Sequence, residues 1–347
     1  MTQCKTRQEC LDWLSSNTKS IAPGQDVAVG FFQPDDAEGV ARLYYAIYGD
    51  TFAIDYVYDP KRIREANQGP DLHQVVARTG AGEVVGVSAL FRVPPGKGIL
   101  EAGGLMLLPD YRLGTLIFRL IDLTQQAARD HLQLNAVFGQ SVTDHLTTQK
   151  INARYGYRGL ALEMESMPAR PGEEGGRISL LNEFLVLRDI AHPVHLPEAY
   201  APLLREMYVD LGLGREFLDG AEPKGSTAWA LTEMPAASLA KILVTEIGTD
   251  FPAVLRTFAA EHCELHALHL QLPLTHPALP WAVEQARAHG FCLGGLLPLW
   301  TDRDVLLMQK LAKRPDFSAP ALLTDGAQGL LEQIRLDWES VAKGEGG

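Results

Sequence analysis

Long apolar runs and a leader-like N-terminus are both missing from this sequence of 347 residues. No apolar stretch approaches the roughly 20 residues that a transmembrane helix requires, so we expect no membrane span. The first residues, MTQCKTRQECLDWLSSN, include acidic side chains and no apolar core, so they do not resemble a secretion signal. These two absences favour a protein that is neither secreted nor bound to membranes, and the cysteine pattern below favours the cytoplasm.

Cysteine and positive charge are also in short supply. The four cysteines lie in two groups of two that are far apart in the sequence, and neither group has a CxxC spacing. This pattern is typical of reduced thiols rather than of a disulfide framework. The 31 lysines and arginines are outnumbered by 43 aspartates and glutamates, which gives a net charge of −12. Because non-specific nucleic-acid binding depends on a positive field, we expect no nucleic-acid partner.

Several common catalytic and metal-binding motifs are absent as well. The sequence contains no P-loop, no HExxH and no GxSxG, and GAGEVVG (80–86) lies within a hairpin, where it is a turn. HCELHALH (262–269) has metal-like spacing, but the chain passes from helix to strand near Glu264. His266 and His269 would then point to opposite faces of the strand, so we expect no metal site.

What is present is an alternation of helix and strand signals in two halves. The segment 35–167 has the order α-α-β-β-β-α-β-α-β, with a long helix from Gly114 to about His131. The two strands that this helix connects are expected to run parallel to each other. From residue 227 the order β-β-α-β-α-β-β echoes the first half. This pattern predicts an α/β (α+β) fold of two tandem copies, each with a mixed central sheet flanked by helices.

The domain organisation follows from these signals. The Pro- and Gly-rich stretch MPARPGEEGG marks a break near residue 170. We expect an N-terminal helical extension, a first domain, a second domain, and a C-terminal helix with a tail, over residues 1–26, 27–170, 171–315 and 316–347.

The strongest functional signal is LPDYRLGTLIFRL (108–120), which is typical of a strand end, a turn and a helix start. Backbone amides at a helix N-terminus are unpaired and lie at the positive end of the helix dipole, so they bind phosphate oxygens when small residues leave them open. Arg112 would add positive charge and Thr115 a hydroxyl donor. The predicted anion site consists of Arg112, Leu113, Gly114, Thr115 and Leu116.

Together with the order of elements, LPDYRLGTLI resembles the GNAT superfamily of acyl-CoA-dependent N-acyltransferases, and the chain from about Val27 to Leu311 resembles tandem-GNAT bacterial proteins. The family usually has Arg/Gln-x-x-Gly-x-Gly/Ala in this turn. Arg112 matches the basic position, whereas Thr115 and Ile117 replace the glycines and Gly114 lies one place early. The resemblance implies acetyl-CoA, or another acyl-CoA, as co-substrate, with its pantetheine along the backbone of Leu105, Met106 and Leu107.

The resemblance also implies an acid and a base for acyl transfer. Glu101 lies where many family members keep a carboxylate base, although it fits a solvated strand end equally well. The helical position that often holds the tyrosine acid is Asn152 here, which is expected to contact the cofactor. Tyr155 is the nearby tyrosine, but a shift of three residues turns it to another part of the helix. His145, in the polar stretch SVTDHLTTQ, is a further candidate acid or base.

The resemblance places the acceptor site under YYAIYGDTFAIDYVYDP (44–60), so Tyr45, Tyr48 and Tyr56 are candidate lining residues, although aromatic residues at helical spacing are equally typical of a core. The implied function is acyl transfer to a small-molecule or peptide amine by direct attack in a ternary complex, and a homodimer is left open. The alternatives are a catalytically inactive GNAT-like binding or regulatory module, and an enzyme that uses another acyl carrier, such as a charged tRNA or an acyl carrier protein.

Overall fold

The computed structural model describes residues 6–52, 54–169 and 176–344. The chain divides into two compact units: unit 1 comprises Met1–Pro94 and Leu100–Val137, and unit 2 comprises Pro95–Ile99 and Phe138–Gly347. The break predicted near residue 170 falls in the segment 170–175, outside the described residues. The four predicted segments therefore stay a prediction.

Unit 1 combines an antiparallel sheet with helices. The strands lie in the order β1-β2-β3-β4. Its elements are α1 (Arg7–Ser16), β1 (Val27–Phe31), α2 (Ala37–Tyr48), α3 (Pro60–Gln68), β2 (Leu72–Thr79), β3 (Val84–Phe91), β4 (Ile99–Leu107) and α4 (Leu116–Gln126).

The sheet of unit 1 is buried on both faces, and this explains why its central strands are apolar almost throughout. Side chains alternate along β2: Val76 packs in the cluster of α1, α2 and α3, whereas Val75 and Ala77 pack with Leu116 and Leu120 of α4. Both clusters exclude water from the same strands. The sheet thereby fixes β4 and the start of α4, which the predicted anion site requires.

Unit 2 is a larger mixed sheet with helices, in the strand order β5-β7-β6-β13-β14-β12-β11-β10, and a separate pair β8-β9. Its elements are β5 (Ala136–Val142), α5 (Thr147–Arg154), β6 (Arg158–Met167), β7 (Ile178–Val186), β8 (His192–Val194), α6 (Ala201–Leu211), β9 (Arg215–Phe217), β10 (Ala228–Met234), β11 (Leu239–Glu246), α7 (Phe251–Glu261), β12 (Ala267–Pro273), α8 (Leu279–Ala288), β13 (Cys292–Leu297), β14 (Val305–Leu311) and α9 (Asp325–Gly344).

A repeated strand–helix–strand–strand pattern organises unit 2. In β5-α5-β6-β7 the last strand lies between the first two, and β12-α8-β13-β14 has the same arrangement. The two patterns meet where β6 and β13 pair through one register pair, Ala161 with Gly295. Gln309 of β14 completes this junction, because its side chain accepts from the Met164 amide at 2.8 Å and donates to the Leu162 carbonyl at 3.0 Å.

The mixed α/β fold with helices flanking the sheet is confirmed, and so is the element order predicted from residue 227 onward. The assignment of the two halves to tandem copies stays a prediction. None of the helices in the described ranges combines the length and the apolar character that a bilayer crossing needs.

Candidate functional site

The turn between β4 and α4 is anchored at its start and open at its end. The Leu108 amide donates to the Val85 carbonyl at 2.9 Å, and the buried Tyr111 donates its hydroxyl to the Ala22 carbonyl at 2.6 Å. The chain then projects outward, and Leu113 is 93% exposed. The turn is therefore held by its first half, while the residues that precede α4 remain accessible to a ligand.

The amides at the start of α4 have no hydrogen-bond partner among the described residues. The amide of Arg119 makes the first helical bond, to the Thr115 carbonyl at 3.1 Å, and Thr115 makes no side-chain cap. Within the described part of the chain, no hydrogen bond leaves the amides of residues 113–116. Gly114 has φ +100°, and a Cβ there would meet nothing within 4 Å. The amides thus lie open at the positive end of the helix dipole, and their predicted contact with an anion stays a prediction.

Arg112 adds a cation to this turn. Its Nε donates to the Leu107 carbonyl at 3.1 Å, and this bond fixes the side chain beside the turn. Arg112 is exposed and has no ion-pair partner among the residues described, and the first turn of α4 contains no acidic residue. Its terminal NH groups are therefore available to an anionic ligand. The structure thus brings together the predicted residues of this turn.

The strand before the turn carries a β-bulge. Val87 pairs with Met106 but Ala89 pairs with Gly103, so β4 has one extra residue opposite Ser88. Gly104 lies at the bulge with φ +59°, and a Cβ there would lie 3.6 Å from the Tyr44 hydroxyl. Leu105 is half-buried, whereas Met106 and Leu107 are buried. Their predicted contact with pantetheine stays a prediction.

The three tyrosines predicted to line the acceptor site differ in exposure. Tyr45 and Tyr56 are half-buried and pack against the core of unit 1, while Tyr48 is 37% exposed and lies 4.9 Å from Phe52 between ring centroids. No pattern in the sequence indicates that Tyr44 lies near β4, yet a Cβ placed at Gly104 would lie 3.6 Å from its hydroxyl. Burial is the main cause that raises the pKa of Tyr44 well above its usual value, so this hydroxyl stays protonated.

The candidate acids and bases differ in exposure and in the element that carries each of them. Glu101 is half-buried on β4, where it pairs with Phe91. His145 is exposed, and its Nδ1 accepts from the Thr147 amide at 3.3 Å at the start of α5. Tyr155 is half-buried at the C-terminal end of α5. Their catalytic roles stay predictions.

Asn152 belongs to a polar group whose other members the sequence did not indicate. Its Nδ2 donates to Glu183 Oε2 at 2.6 Å and to Ser141 Oγ at 3.3 Å, and Ser141 also donates to Glu183. Burial raises the pKa of Glu183 against the effect of these two hydrogen bonds. One feature of the sequence does point to this group: a glutamate lies within the apolar run ISLLNEFLVL. Exposure to solvent does not explain a charged residue in such a run.

A second polar group lies inside unit 2 around Glu163 of β6. Its carboxylate lies 3.3 Å from Lys241 Nζ, 3.5 Å from His269 Nδ1, and accepts from Asn182 at 3.0 Å. Burial opposes the ionisation of Glu163, but these partners outweigh it and lower the pKa of the carboxyl. His269 is fully buried, and burial lowers its pKa to about 4. Glu163 and His269 therefore form a buried structural pair and not an exposed site.

The three histidines of the segment 262–269 approach different carboxylates. His262 contacts Glu233 at 3.1 Å, and His266 contacts Glu165 at 2.8 Å, whereas His269 lies beside Glu163. Over the described ranges, no group of three or more His, Cys, Asp or Glu side chains is arranged to hold a metal ion.

The buried His269 predicts a pH-dependent stability. Its pKa of about 4 in the folded protein lies below the unfolded value near 6.5, so the unfolded chain takes up the extra proton between these values. Stability is therefore lost as the pH falls through this window, by roughly 2 kcal/mol between pH 7.5 and pH 5. Urea unfolding of wild type and His269→Asn at both pH values measures it. A variant with the wild-type pH dependence would show that His269 is not the source.

Comparison with known proteins gives similarity in fold only. No protein-family model matches the sequence, and no curated protein matches it. Among solved structures, the acetyltransferase of the GNAT family from Streptococcus pneumoniae is 11% identical, with 47% of this chain and 100% of that chain covered and a TM-score of 0.40. The ribosomal-protein-S18-alanine N-acetyltransferase from Escherichia coli is 11% identical, with 48% and 96% covered and a TM-score of 0.37. A spermidine N-acetyltransferase mutant from Vibrio cholerae is 8% identical, with 46% and 93% covered and a TM-score of 0.38.

Proposed function

We propose that this protein is an acyl-CoA-dependent N-acyltransferase whose turn between β4 and α4 binds the diphosphate of acetyl-CoA. The observation that carries the proposal is the combination of amides of residues 113–116 that have no partner among the described residues with the Arg112 guanidinium, whose terminal NH groups have no ion-pair partner there. A diphosphate has several anionic oxygens close together, and adjacent amides at a helix N-terminus match this arrangement. Gly114 keeps the approach open, and the exposed Leu113 offers an apolar contact.

The counterpart helix of unit 2 does not offer such a site. Before α7, the Asp250 carboxylate accepts from the Thr227 amide at 2.7 Å and from the Thr227 hydroxyl at 2.8 Å. A negative charge therefore occupies the place where an anion would bind. This difference supports one acyl-CoA site per chain.

The proposed reaction is direct attack of an amine on the thioester carbonyl in a ternary complex. The new C–N bond forms as the C–S bond breaks, the amine proton passes to a base, and the leaving thiolate takes up a proton. We assign Glu101 of unit 1 as the base. The acceptor would be a small-molecule or peptide amine beside Tyr45, Tyr48 and Tyr56, in the cytoplasm.

Thiol release from acetyl-CoA in the presence of a panel of primary amines tests this function. We expect an amine-dependent rate that Glu101→Gln lowers about 100-fold in kcat, because general bases contribute on the order of 10²–10⁴-fold. Glu65→Gln, which removes an exposed carboxylate on α3, is the matched control and should keep the rate. Equal rates for Glu101→Gln and wild type would remove Glu101 from the mechanism.

The binding-module alternative has one specific observation in its favour. Asn152, at the position where many family members have a tyrosine acid, is engaged with Ser141 and Glu183. If acetyl-CoA binds but no amine releases thiol, the binding module is the better description. If acetyl-CoA does not bind at all, the proposed function fails, and other acyl carriers become the next candidates.

A further inference from the structure

The strand β10 lies at one edge of the sheet of unit 2. It pairs with β11 on one side, in an antiparallel register that runs from Ala228 opposite Glu246 to Met234 opposite Leu239, and no described strand pairs with it on the other side. In an antiparallel ladder, every second residue directs its amide and carbonyl away from the paired strand. The outer edge of β10 therefore presents a row of backbone donors and acceptors to which a further strand can pair.

The side chains of β10 are exposed on a face of the sheet that is buried along β11. All residues of β10 are exposed, and its large apolar side chains are Trp229, Leu231 and Met234, each about 40% exposed. Trp229 and Leu231 lie opposite Val244 and Ile242 of β11, so each pair shares a face, yet Val244 and Ile242 are at most 1% exposed. The apolar face that is covered along β11 is thus still open at β10 over the described part of the chain.

This edge lacks the features that usually keep a sheet edge from pairing. Such edges carry lysines, prolines or inward-pointing charges. The strand, AWALTEM, contains no lysine and no proline, and its one charged residue, Glu233, already lies 3.1 Å from Nε2 of His262. Its one irregularity in the register with β11 comes at the first step, between Ala228 and Trp229. The rest of β10 is regular and open to a partner strand.

The sequence of β10 is complementary to an antiparallel copy of itself. With Leu231 on a two-fold axis, Leu231 lies opposite its own counterpart, and Trp229 lies opposite Glu233 of the second copy, so that no two like charges meet. On the other face of the sheet a small residue meets a larger one in each pair: Ala228 with Met234, and Ala230 with Thr232. The charges and the side-chain sizes therefore both match in this register.

The two neighbouring registers are less favourable. Moving the axis by one residue towards the C-terminus places Pro235 opposite Trp229, and a proline cannot donate to the ladder. Moving it by one residue towards the N-terminus extends the pairing to Thr227, whose amide already donates to Asp250 at 2.7 Å. The register with Leu231 on the axis is the one that uses all seven residues of β10.

We propose that β10 is a dimerisation strand, and that two copies of this chain associate by antiparallel pairing of β10 with β10 about a two-fold axis at Leu231. The pairing supplies partners for the outer amides and carbonyls of both strands and covers Trp229 and Leu231. A pair of seven-residue strands is a small interface, so the dimer is transient, with a Kd on the order of 10 µM. The proposal rests on unit 2 alone and does not depend on the proposed acyl transfer.

Sedimentation velocity of the full chain over a series of about 1–200 µM tests the proposal. We expect wild type to change from the chain mass of 38.0 kDa to twice that mass as the concentration rises. Leu231→Lys places two like charges on the axis and should weaken dimerisation at least about 10-fold. Leu336→Lys, the same change at an exposed leucine of α9, is the control and should dimerise like wild type. A wild type that stays monomeric throughout, or a Leu231→Lys variant that dimerises equally well, would overturn the proposal.

Crosslinking keeps the test decisive if Leu231→Lys also disturbs the fold. In a background with Cys4 and the exposed Cys263 replaced by serine, the two remaining cysteines are buried. Leu231→Cys in this background should be linked to a second copy by a short bis-maleimide, because the Cβ atoms of opposite residues lie about 5 Å apart. Leu336→Cys in the same background should not be linked. If Leu231→Cys gives no crosslink at concentrations where wild type is dimeric, the contact lies elsewhere and the proposal is wrong.

Discussion

Replacing Arg112 by glutamate is expected to weaken the binding of acetyl-CoA about 100-fold, which corresponds to roughly 2.7 kcal/mol. The change removes the cation that lies beside the unpaired amides of residues 113–116 and places a carboxylate there. A charge-assisted hydrogen bond contributes about 1.5–3 kcal/mol, and the new charge also repels the diphosphate. Calorimetric titration of acetyl-CoA into wild type and variant measures the difference.

The matched control for this experiment is Arg129→Glu. Arg129 is an exposed residue in the π-helical turn that continues α4, so it lies roughly 20 Å further along the helix than the diphosphate site. Both variants change the net charge by the same amount. We expect Arg129→Glu to bind acetyl-CoA within a factor of two to three of wild type, because the charges are screened at that distance. Equal losses in the two variants would indicate a general charge effect and not a site at Arg112.

The second large effect concerns the stability of unit 2. Gly295 of β13 has φ +131°, and a Cβ there would overlap the Leu160 carbonyl oxygen and lie 2.5 Å from the Ala161 Cα on β6. Gly295→Ala must therefore push β13 away from β6, where the two strands share one register pair. We expect a loss of about 3 kcal/mol in the free energy of unfolding, typical of backbone strain combined with overpacking. Urea unfolding monitored by circular dichroism measures it.

Gly329→Ala provides the contrast within the same unit. This glycine lies in the interior of α9, and a Cβ there meets nothing. Since alanine is the better helix former, this variant should gain about 0.5–1 kcal/mol. If both alanine variants unfold at the same urea concentration, the close approach of β13 to β6 is not what makes Gly295 necessary.

Local patterns in the sequence were sufficient for most elements of the fold. The turn LPDYRLGTLI predicted the end of a strand and the start of a helix, and β4 ends at Leu107 while α4 begins at Leu116. Periodicity and cap residues act within a few positions of each other, so such signals can be read from one sequence. The three-residue strands β8 and β9 and the helix α6 were not predicted, because their segments are short or irregular in pattern.

Contacts between distant residues could not be predicted in this way. The apolar run ISLLNEFLVL (178–187) is typical of a strand, but it does not indicate that β7 lies between β5 and β6. Only this placement brings Glu183 to Asn152. The same applies to the Tyr44 hydroxyl at Gly104, where a β-bulge in β4 sets the geometry. A polar group of this kind depends on strand order and register, which a side-chain pattern on one strand does not encode.

The position of the diphosphate is tested most directly by nuclear magnetic resonance of protein labelled with ¹⁵N only at glycine. The amide signal of Gly114 is assigned by its loss in Gly114→Ala, and that of Gly329 by its loss in Gly329→Ala. We predict that saturating acetyl-CoA shifts the Gly114 signal and leaves Gly329 in place, while pantetheine, which has no diphosphate, shifts neither. A Gly114 signal that does not move when acetyl-CoA is bound would contradict a diphosphate site at the start of α4.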